Sequence, residues 1–165
     1  MKIYYREKSG GIEILRCFGI EGRVEIPGMI DDKLVISAAP YAFSNHMDEK
    51  EELKNASLWE VSDGLGFSRE EHVLAGNDVE EIVFPHTLKE IGRYIFYGCG
   101  NLKKLEFSDS LMQIGCGAFT GCHALEKLTV HMRQGKKSGV KEMLGEMWQR
   151  IDVNFLYEYE EDGIE

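Results

Sequence analysis

Of the 165 residues, 43% are hydrophobic and 29% charged, enough apolar material for a single domain with a buried core. Acidic residues outnumber basic ones 29 to 19, so the formal charge of -10 and a pI near 5.0 disfavour nucleic-acid phosphates and anionic membrane surfaces as partners. No apolar run is long enough for a signal-peptide core or a membrane span, so the expectation is a cytoplasmic protein without membrane insertion, or a secreted or cell-surface one if a leader has been trimmed.

In chain order, residues 1–22 hold "IYYREKSGGIEIL", two short strands around Lys8-Ser9-Gly10-Gly11, a hairpin placed to cover the exposed start of the downstream fold. Residues 23–45, "GRVEIPGMIDDKLVISAAPYAFS", carry Val24, Ile26 and Pro27 in a strand pattern and Ala42-Phe43 in a turn pattern. The spacing from Ile26 to Phe43 is five residues longer than from Phe84 to Phe96, an expansion placed in "GMIDDK". Residues 46–78 are irregular. "MDEKEELKN" has helical composition, "SLWEV" stands 23 residues before Ile82 and Phe84 as a strand in register, and "SREEHVLAG" offers Ser68 and Glu71 as a capping box.

Residues 79–131 contain the strongest signal, "IGRYIFYGCGNLKKLEF" repeated 23 residues later as "IGCGAFTGCHALEKLTV". Matched columns are Val79, Leu102 and Leu125; Ile82, Leu105 and Leu128; Phe84, Phe107 and Val130; and Ile91 with Ile114, Phe96 with Phe119, Cys99 with Cys122. A fixed period of this length headed by Leu-x-x-Leu-x-Phe describes stacked coils, because one coil cannot bury its own apolar side. Gly92 and Gly115 are expected where neighbouring coils approach closely or bend, and Gly98 and Gly121 where φ turns positive. In residues 132–158, Val140, Met143, Leu144, Met147, Trp148 and Ile151 form a helical stripe with Ser138 as N-cap, a cap ahead of a last strand in "RIDVNFLYEY". Residues 159–165 form an acidic tail.

The pattern at Ile114, Gly115, Ala118, Phe119, Gly121, Cys122, Leu125, Leu128 and Val130 resembles the BspA-like leucine-rich repeat, with Pro85 supplying its proline in the preceding coil. Ile95 departs from its alanine, and Thr87 and Ser110 stand where other leucine-rich repeats place an asparagine ladder. The resemblance implies an α/β solenoid over 1–165: a right-handed coil with short parallel strands on one face, an N-terminal hairpin cap and a C-terminal helix cap. It also implies adhesion or protein recognition, mostly on secreted bacterial proteins, and no enzymatic activity or cofactor.

Candidate chemistry is sparse. Cys116 and Cys122 with His123 lack a C-x-x-C spacing, so no metal site is assigned, and the repeat itself accounts for Cys122. Cys99 and Cys122 lie within disulfide reach at the coil spacing, but both fall in a core column, which favours free thiols. No catalytic serine or phosphate-loop motif is present. An enzymatic reading would need the 46–77 segment to gather Asp48, Glu49, Glu52, His72 or Asp78. The solvent-facing strand columns remain as the partner-binding candidates: Arg23, Glu81, Lys104 and Lys127 in one, Glu25, Val83, Glu106 and Thr129 in the next, then His131. The leading expectation is a non-enzymatic protein-interaction module that uses this face. The alternative is a structural protein that homodimerises through a coil end or the 46–77 segment.

Overall fold

The structure is a computed structural model that describes residues 1–47, 49–61, 72–133, 139–145 and 150–158. In chain order its elements are β1 Lys2–Lys8, β2 Gly11–Gly19, β3 Arg23–Glu25, β4 Met29–Ile30, β5 Lys33–Ala38, α1 Glu49–Glu52, β6 Ser57–Glu60, β7 His72–Val73, β8 Glu81–Val83, β9 Glu90–Ile91, β10 Lys104–Ser108, β11 Gln113–Ile114, β12 Lys127–Arg133, α2 Val140–Leu144 and β13 Asp152–Glu158. Two sheets result. One is a five-stranded parallel sheet in the order β13-β12-β10-β8-β3. The other runs β11-β9-β5-β2-β1-β6, with β4 paired to β5 and β7 to β2. A coil leaves a strand of the first sheet, passes through one of the second and returns, as β8 to β9 to β10 and β10 to β11 to β12 do. This is a solenoid of leucine-rich repeat type.

The apolar columns stack in register. Val24, Ile82, Leu105, Leu128 and Val153 are successive partners across the five-stranded sheet. In β12 the side chains alternate between buried and half-buried, as a strand with one face on a core requires. At the far side of the core Phe43, Phe96 and Phe119 form a ring ladder with centroids 6.1 and 5.8 Å apart. Thr87 and Ser110 take over the task of the absent asparagines, each hydroxyl donating at 2.7 Å to a carbonyl of the preceding coil, Val35 O and Leu88 O.

The turn glycines divide as their positions require. Gly98 and Gly121 adopt φ of 78° and 83°. Gly92 and Gly115 mark the closest coil-to-coil approach. A β-carbon on Gly115 would stand 2.2 Å from the Arg93 nitrogen, and one on Gly92 would stand 2.3 Å from the Pro40 nitrogen. The "GMIDDK" expansion is a hairpin in which β4 pairs with β5 around Asp31 and Asp32, both at positive φ, the conformation of a two-residue primed turn.

Three local expectations change. "SLWEV" is not a rung beside Ile82: β6 pairs antiparallel with β1 and extends the hairpin sheet, while β3 lies directly against β8. β6 therefore stands outside the five-stranded parallel sheet, in which Val24 lies directly beside Ile82. Of the helix expected in "SREEHVLAG", Ser68 and Glu71 lie outside the described residues, and His72–Val73 are strand instead, with β7 paired to the end of β2. Partner-seeking backbone on β2 outweighs local helix propensity here; Leu74 N donates to Cys17 O at 2.9 Å. The cap helix begins at Val140 with Gly139 as N-cap, not Ser138, and ends at Gly145 with φ of 57°. Val140 and Leu144 are buried by it, Ile151 packs against the core, and Met147 and Trp148 lie outside the described residues.

One buried side chain resolves how the array begins. In the regular coils an outward-turn N–H donates to the next coil's carbonyl: Phe43 N to Ile95 O, Phe96 N to Ala118 O, Gly98 N to Thr120 O. The first coil has no predecessor, so its matching carbonyls, Ala42 O and Ser44 O, lack that donor. Arg16, 1% exposed on β2, supplies it: its guanidinium donates to Ala42 O at 3.3 Å, to Tyr41 O at 2.9 Å and to Ser44 O.

Replacing Gly115 by alanine is expected to destabilise by about 2 kcal/mol or more, because rigid backbone blocks the added methyl. Gly28→Ala, whose nearest neighbour would be Pro85 at 3.7 Å, should be close to neutral in the same urea titration. Arg16→Met should cost about 3 kcal/mol, since the buried carbonyls lose their donor.

Candidate interaction surfaces

The structure brings the strand-face candidates together. Arg23, Glu81, Lys104 and Lys127 are successive cross-strand partners, as are Glu25, Val83, Glu106 and Thr129, with His131 opposite Ser108. β13 adds Asp152, Asn154 and Leu156 beside Lys127, Thr129 and His131. The face is electrostatically divided. Arg23 pairs with Glu25 and, at 3.4 Å, with Glu81, so the first two rungs are self-compensated. Glu106 pairs with the His131 imidazole, whose ring lies 4.8 Å from that of His86. Lys104 and Lys127 stand side by side with no side-chain partner among the described residues.

The four cysteines are free, and the coils separate their roles. Cys99 Sγ donates to Phe43 O at 3.1 Å and Cys122 Sγ to Phe96 O at 3.4 Å, so each thiol fastens its coil to the preceding one. Burial pushes Cys99 up to about 11, and Cys17 and Cys122 up to about 12. Cys116, by contrast, is exposed. Cys116 and Cys122 therefore face different surroundings despite their short spacing. Among the described residues no group of three His, Cys, Asp or Glu side chains is arranged to hold a metal ion. Of the residues an enzymatic reading would recruit, Glu52 and Asp78 are exposed, while Asp48 and the side chains of Glu49 and His72 lie outside the described residues.

Two features escaped the sequence reading. The first is a buried carboxylate at a cleft of about 330 Å³, lined by Lys8, Glu13, Glu90, Arg93, Gln113 and Cys116 among others. Glu13, 1% exposed, accepts from Arg6 at 2.8 Å, Lys8 at 3.0 Å and Ser37 at 3.0 Å. Burial alone would raise this carboxyl, but the donors from Lys8, Ser37 and Arg6 outweigh it and hold the group below the ordinary value of 4.5. Its alternation with Ile12 and Ile14 looks solvent-facing in sequence, but in the fold it lies beside Ser37 of β5 with Arg6 and Lys8 of β1 upon it. The second is a row of half-buried aromatic side chains on the return face, Tyr41, Tyr94 and Tyr97.

A family model for the BspA-type leucine-rich repeat region (6 copies) matches residues 70–139. No curated protein matches the chain. Among solved structures, a leucine-rich cell surface protein from Faecalibacterium prausnitzii A2-165 matches with a TM-score of 0.50 at 19% identity over 79% of this chain. The chain spans 31% of that protein's length. The leucine-rich repeat protein of T. pallidum matches at 21% identity over 94% of this chain and 80% of its own, with a TM-score of 0.37 that adds nothing on the fold.

With Ellman's reagent the native protein should show one fast thiol, Cys116, and three protected ones; four react once the chain is unfolded. The buried thiols lie above their unfolded value, so their contribution is whole below pH 9.0 and is lost as pH rises through the folded value, about 11 for Cys99. The urea midpoint is accordingly expected to fall between pH 9 and pH 11, and less steeply in Cys99→Ala. Glu13 has the opposite sign: its stabilisation is present above 4.5 and is lost on acidification, a loss Glu13→Gln should remove. The stacked columns, the ring and thiol ladders and the family match converge: residues 70–139 match a BspA-type leucine-rich repeat region, and the chain has a solenoid fold of leucine-rich repeat type.

Proposed function

We propose that the chain is a non-enzymatic protein-interaction module that binds a protein partner through its solvent-facing strand columns. Leucine-rich repeat folds are typically non-enzymatic, and the repeat array devotes its strongest sequence patterns to the core. The observation that carries the reading is the pair Lys104 and Lys127. Like charges directly opposite on neighbouring strands are destabilising, and although Glu81 and Asp152 stand opposite Lys104 and Lys127 on their other sides, neither lysine forms an ion pair with a carboxylate among the described residues. A partner that places an acidic side chain between them relieves that repulsion. Thr129, His131 and the 46% exposed Leu156 continue the same patch with mixed polarity.

A second reading, self-association through the coil end, is favoured by β13. It is a seven-residue edge strand whose outer side has no strand partner among the described residues, and Leu156 and Tyr157 on it are 46% and 54% exposed. Unprotected edges of this length template pairing with another chain. No helix among the described residues is long and apolar enough to cross a membrane, and the cell-surface setting of the Faecalibacterium protein extends to this chain only as a proposal.

Reversing Lys104→Glu, Glu106→Lys and Lys127→Glu together should abolish co-purification of the partner but also lower Tm, because it sets like charges beside Glu81 and Asp152 and removes the partner of His131; Lys104→Gln with Lys127→Gln should weaken binding at unchanged Tm, and retained binding in both removes the strand face from consideration. Light scattering after size exclusion should give a monomer of 18.8 kDa, and a concentration-dependent dimer would instead support the edge of β13.

A further inference from the structure

We infer that the return face carries a second docking surface, a preorganised tyrosine shelf beside Arg93, for a protein segment that presents a carboxylate side chain. Residues 41, 94 and 117 occupy one column of three successive coils, and all three take left-handed backbone conformations, with φ of 59°, 51° and 67°. The third is glycine, the residue that adopts this conformation without steric penalty. The first two are tyrosines, which meet a penalty there that glycine would avoid.

Their rings account for the placement. Tyr41 and Tyr94 stack with centroids 5.6 Å apart and planes within 16°, and the Tyr94 ring occupies the space over Gly117, where an added β-carbon would lie 2.2 Å from it. Tyr97 sets its ring edge-on to Tyr94 at 5.8 Å, and His46 lies edge-on to Tyr97 at 4.6 Å. All three tyrosines are half-buried and keep part of each side chain at the surface. None is needed to fill the core, which the ladder of Phe43, Phe96 and Phe119 already closes on the inner side of the same turns.

A rigid group of tyrosines beside an arginine has the composition of an interface hot spot. Tyrosine offers large amphipathic contact area with little rotamer entropy to lose, and mutual stacking removes most of what remains. The charge selects the occupant. Arg93 is exposed and has no side-chain partner among the described residues, and none of the column positions 40, 41 and 44, 93, 94 and 97, or 116, 117 and 120 is acidic. The two carboxylates lining the adjoining cleft, Glu13 and Glu90, are both held by Lys8, at 3.0 and 3.2 Å. In a chain of net charge -10 this is a neutral-to-positive aromatic surface, matched in charge to an acidic segment, while the like net charges of two copies set them against each other.

The left-handed backbone permits a clean test, because Tyr94→Gly removes the ring while restoring the residue the next coil uses. A random dodecapeptide library displayed on phage is panned against the full chain, and enriched peptides are measured by fluorescence anisotropy. The expected result is a shared Asp or Glu, affinity reduced about tenfold or more by Tyr94→Gly and by Arg93→Glu, and affinity retained by the strand-face reversal at Lys104, Glu106 and Lys127. Tyr94→Phe, which keeps the ring, should bind nearly as well as the parent. If Tyr94→Gly fails to fold, Arg93→Glu and Tyr97→Ala carry the test alone. Enrichment of peptides without an acidic residue, affinity indifferent to the Arg93 and tyrosine variants, or no enrichment at all overturns the shelf; peptides lost only on strand-face reversal overturn it while supporting the strand columns.

Discussion

Coils that share hydrogen bonds along both faces must approach within about 4.8 Å of one another, and at the return turn that separation leaves no room for a side chain at residues 92 and 115. The rest of the array depends on this contact. With Gly115 N on Ile91 O at 2.7 Å and Gly92 N on Ala38 O at 2.8 Å, adjacent turns are locked rung to rung. The phenylalanine rings then fall at stacking distance, and the thiols of Cys99 and Cys122 reach the carbonyls of the coil before. Widening the gap at one glycine would loosen three ladders at once: backbone, aromatic and thiol. That coupling explains why the motif repeats as a unit of Ile-Gly, aromatic and Gly-x-Cys, and not as isolated apolar positions.

An array built this way has ends, and each end has polar groups that the next coil would have served. The N-terminal end is closed by β2, a strand whose side chains are buried along nearly its whole length. Burying a strand on both faces brings any polar side chain on it out of water, which is costly unless every charge finds partners. Arg16 and Glu13 meet that condition in opposite senses. Arg16 donates to orphaned carbonyls of the first coil, and Glu13 accepts from Lys8, Arg6 and Ser37, tying both strands of the hairpin to β5. The hairpin is thus a specific plug, since a purely apolar cover would leave Ala42 O and Ser44 O unsatisfied.

Periodic constraints are the ones a single sequence displays. The core columns, the two classes of glycine and the cysteine rungs were legible because each is stated at least twice at a spacing of 23, and because a period of that length has few structural solutions. What was not legible occurs once. Neither Arg16 nor Glu13 has a counterpart 23 residues away; the carbonyls that Arg16 serves and the Ser37 hydroxyl on Glu13 lie 24 to 28 residues off, and Arg6 and Lys8 reach Glu13 from the paired strand β1. "SLWEV" misled for the complementary reason: its 23-residue offset from Ile82 was coincidental, and the strand pairs with β1 because the parallel array already has Val24 as the neighbour of Ile82. The helix expected through "SREEHVLAG" failed on locality, since its described part answers to hydrogen-bonding groups of β2 more than fifty residues earlier. The tyrosine row was visible as residues but not as a row, because Tyr41 and Tyr94 are 53 residues apart and not 23.

In a solenoid whose period serves the core, only the outward columns are free to vary, and the two faces use that freedom differently. On the strand face, alternation fixes which positions point outward, and charge is the variable; the ion pair of Arg23 and Glu81 gives way to adjacent lysines at 104 and 127 that form no ion pair among the described residues. On the return face, the backbone conformation itself is imposed by the coil, and the variable is whether a side chain is accepted at a position that favours glycine. The third coil obeys the steric preference with Gly117. The first two oppose it with Tyr41 and Tyr94, and the stacking of those rings recovers part of the penalty without using them in the core. A surface that resists its own backbone preference on two successive rungs, in an array where the third rung shows the unstrained alternative, is better explained by what the rings present outward than by what they contribute inward.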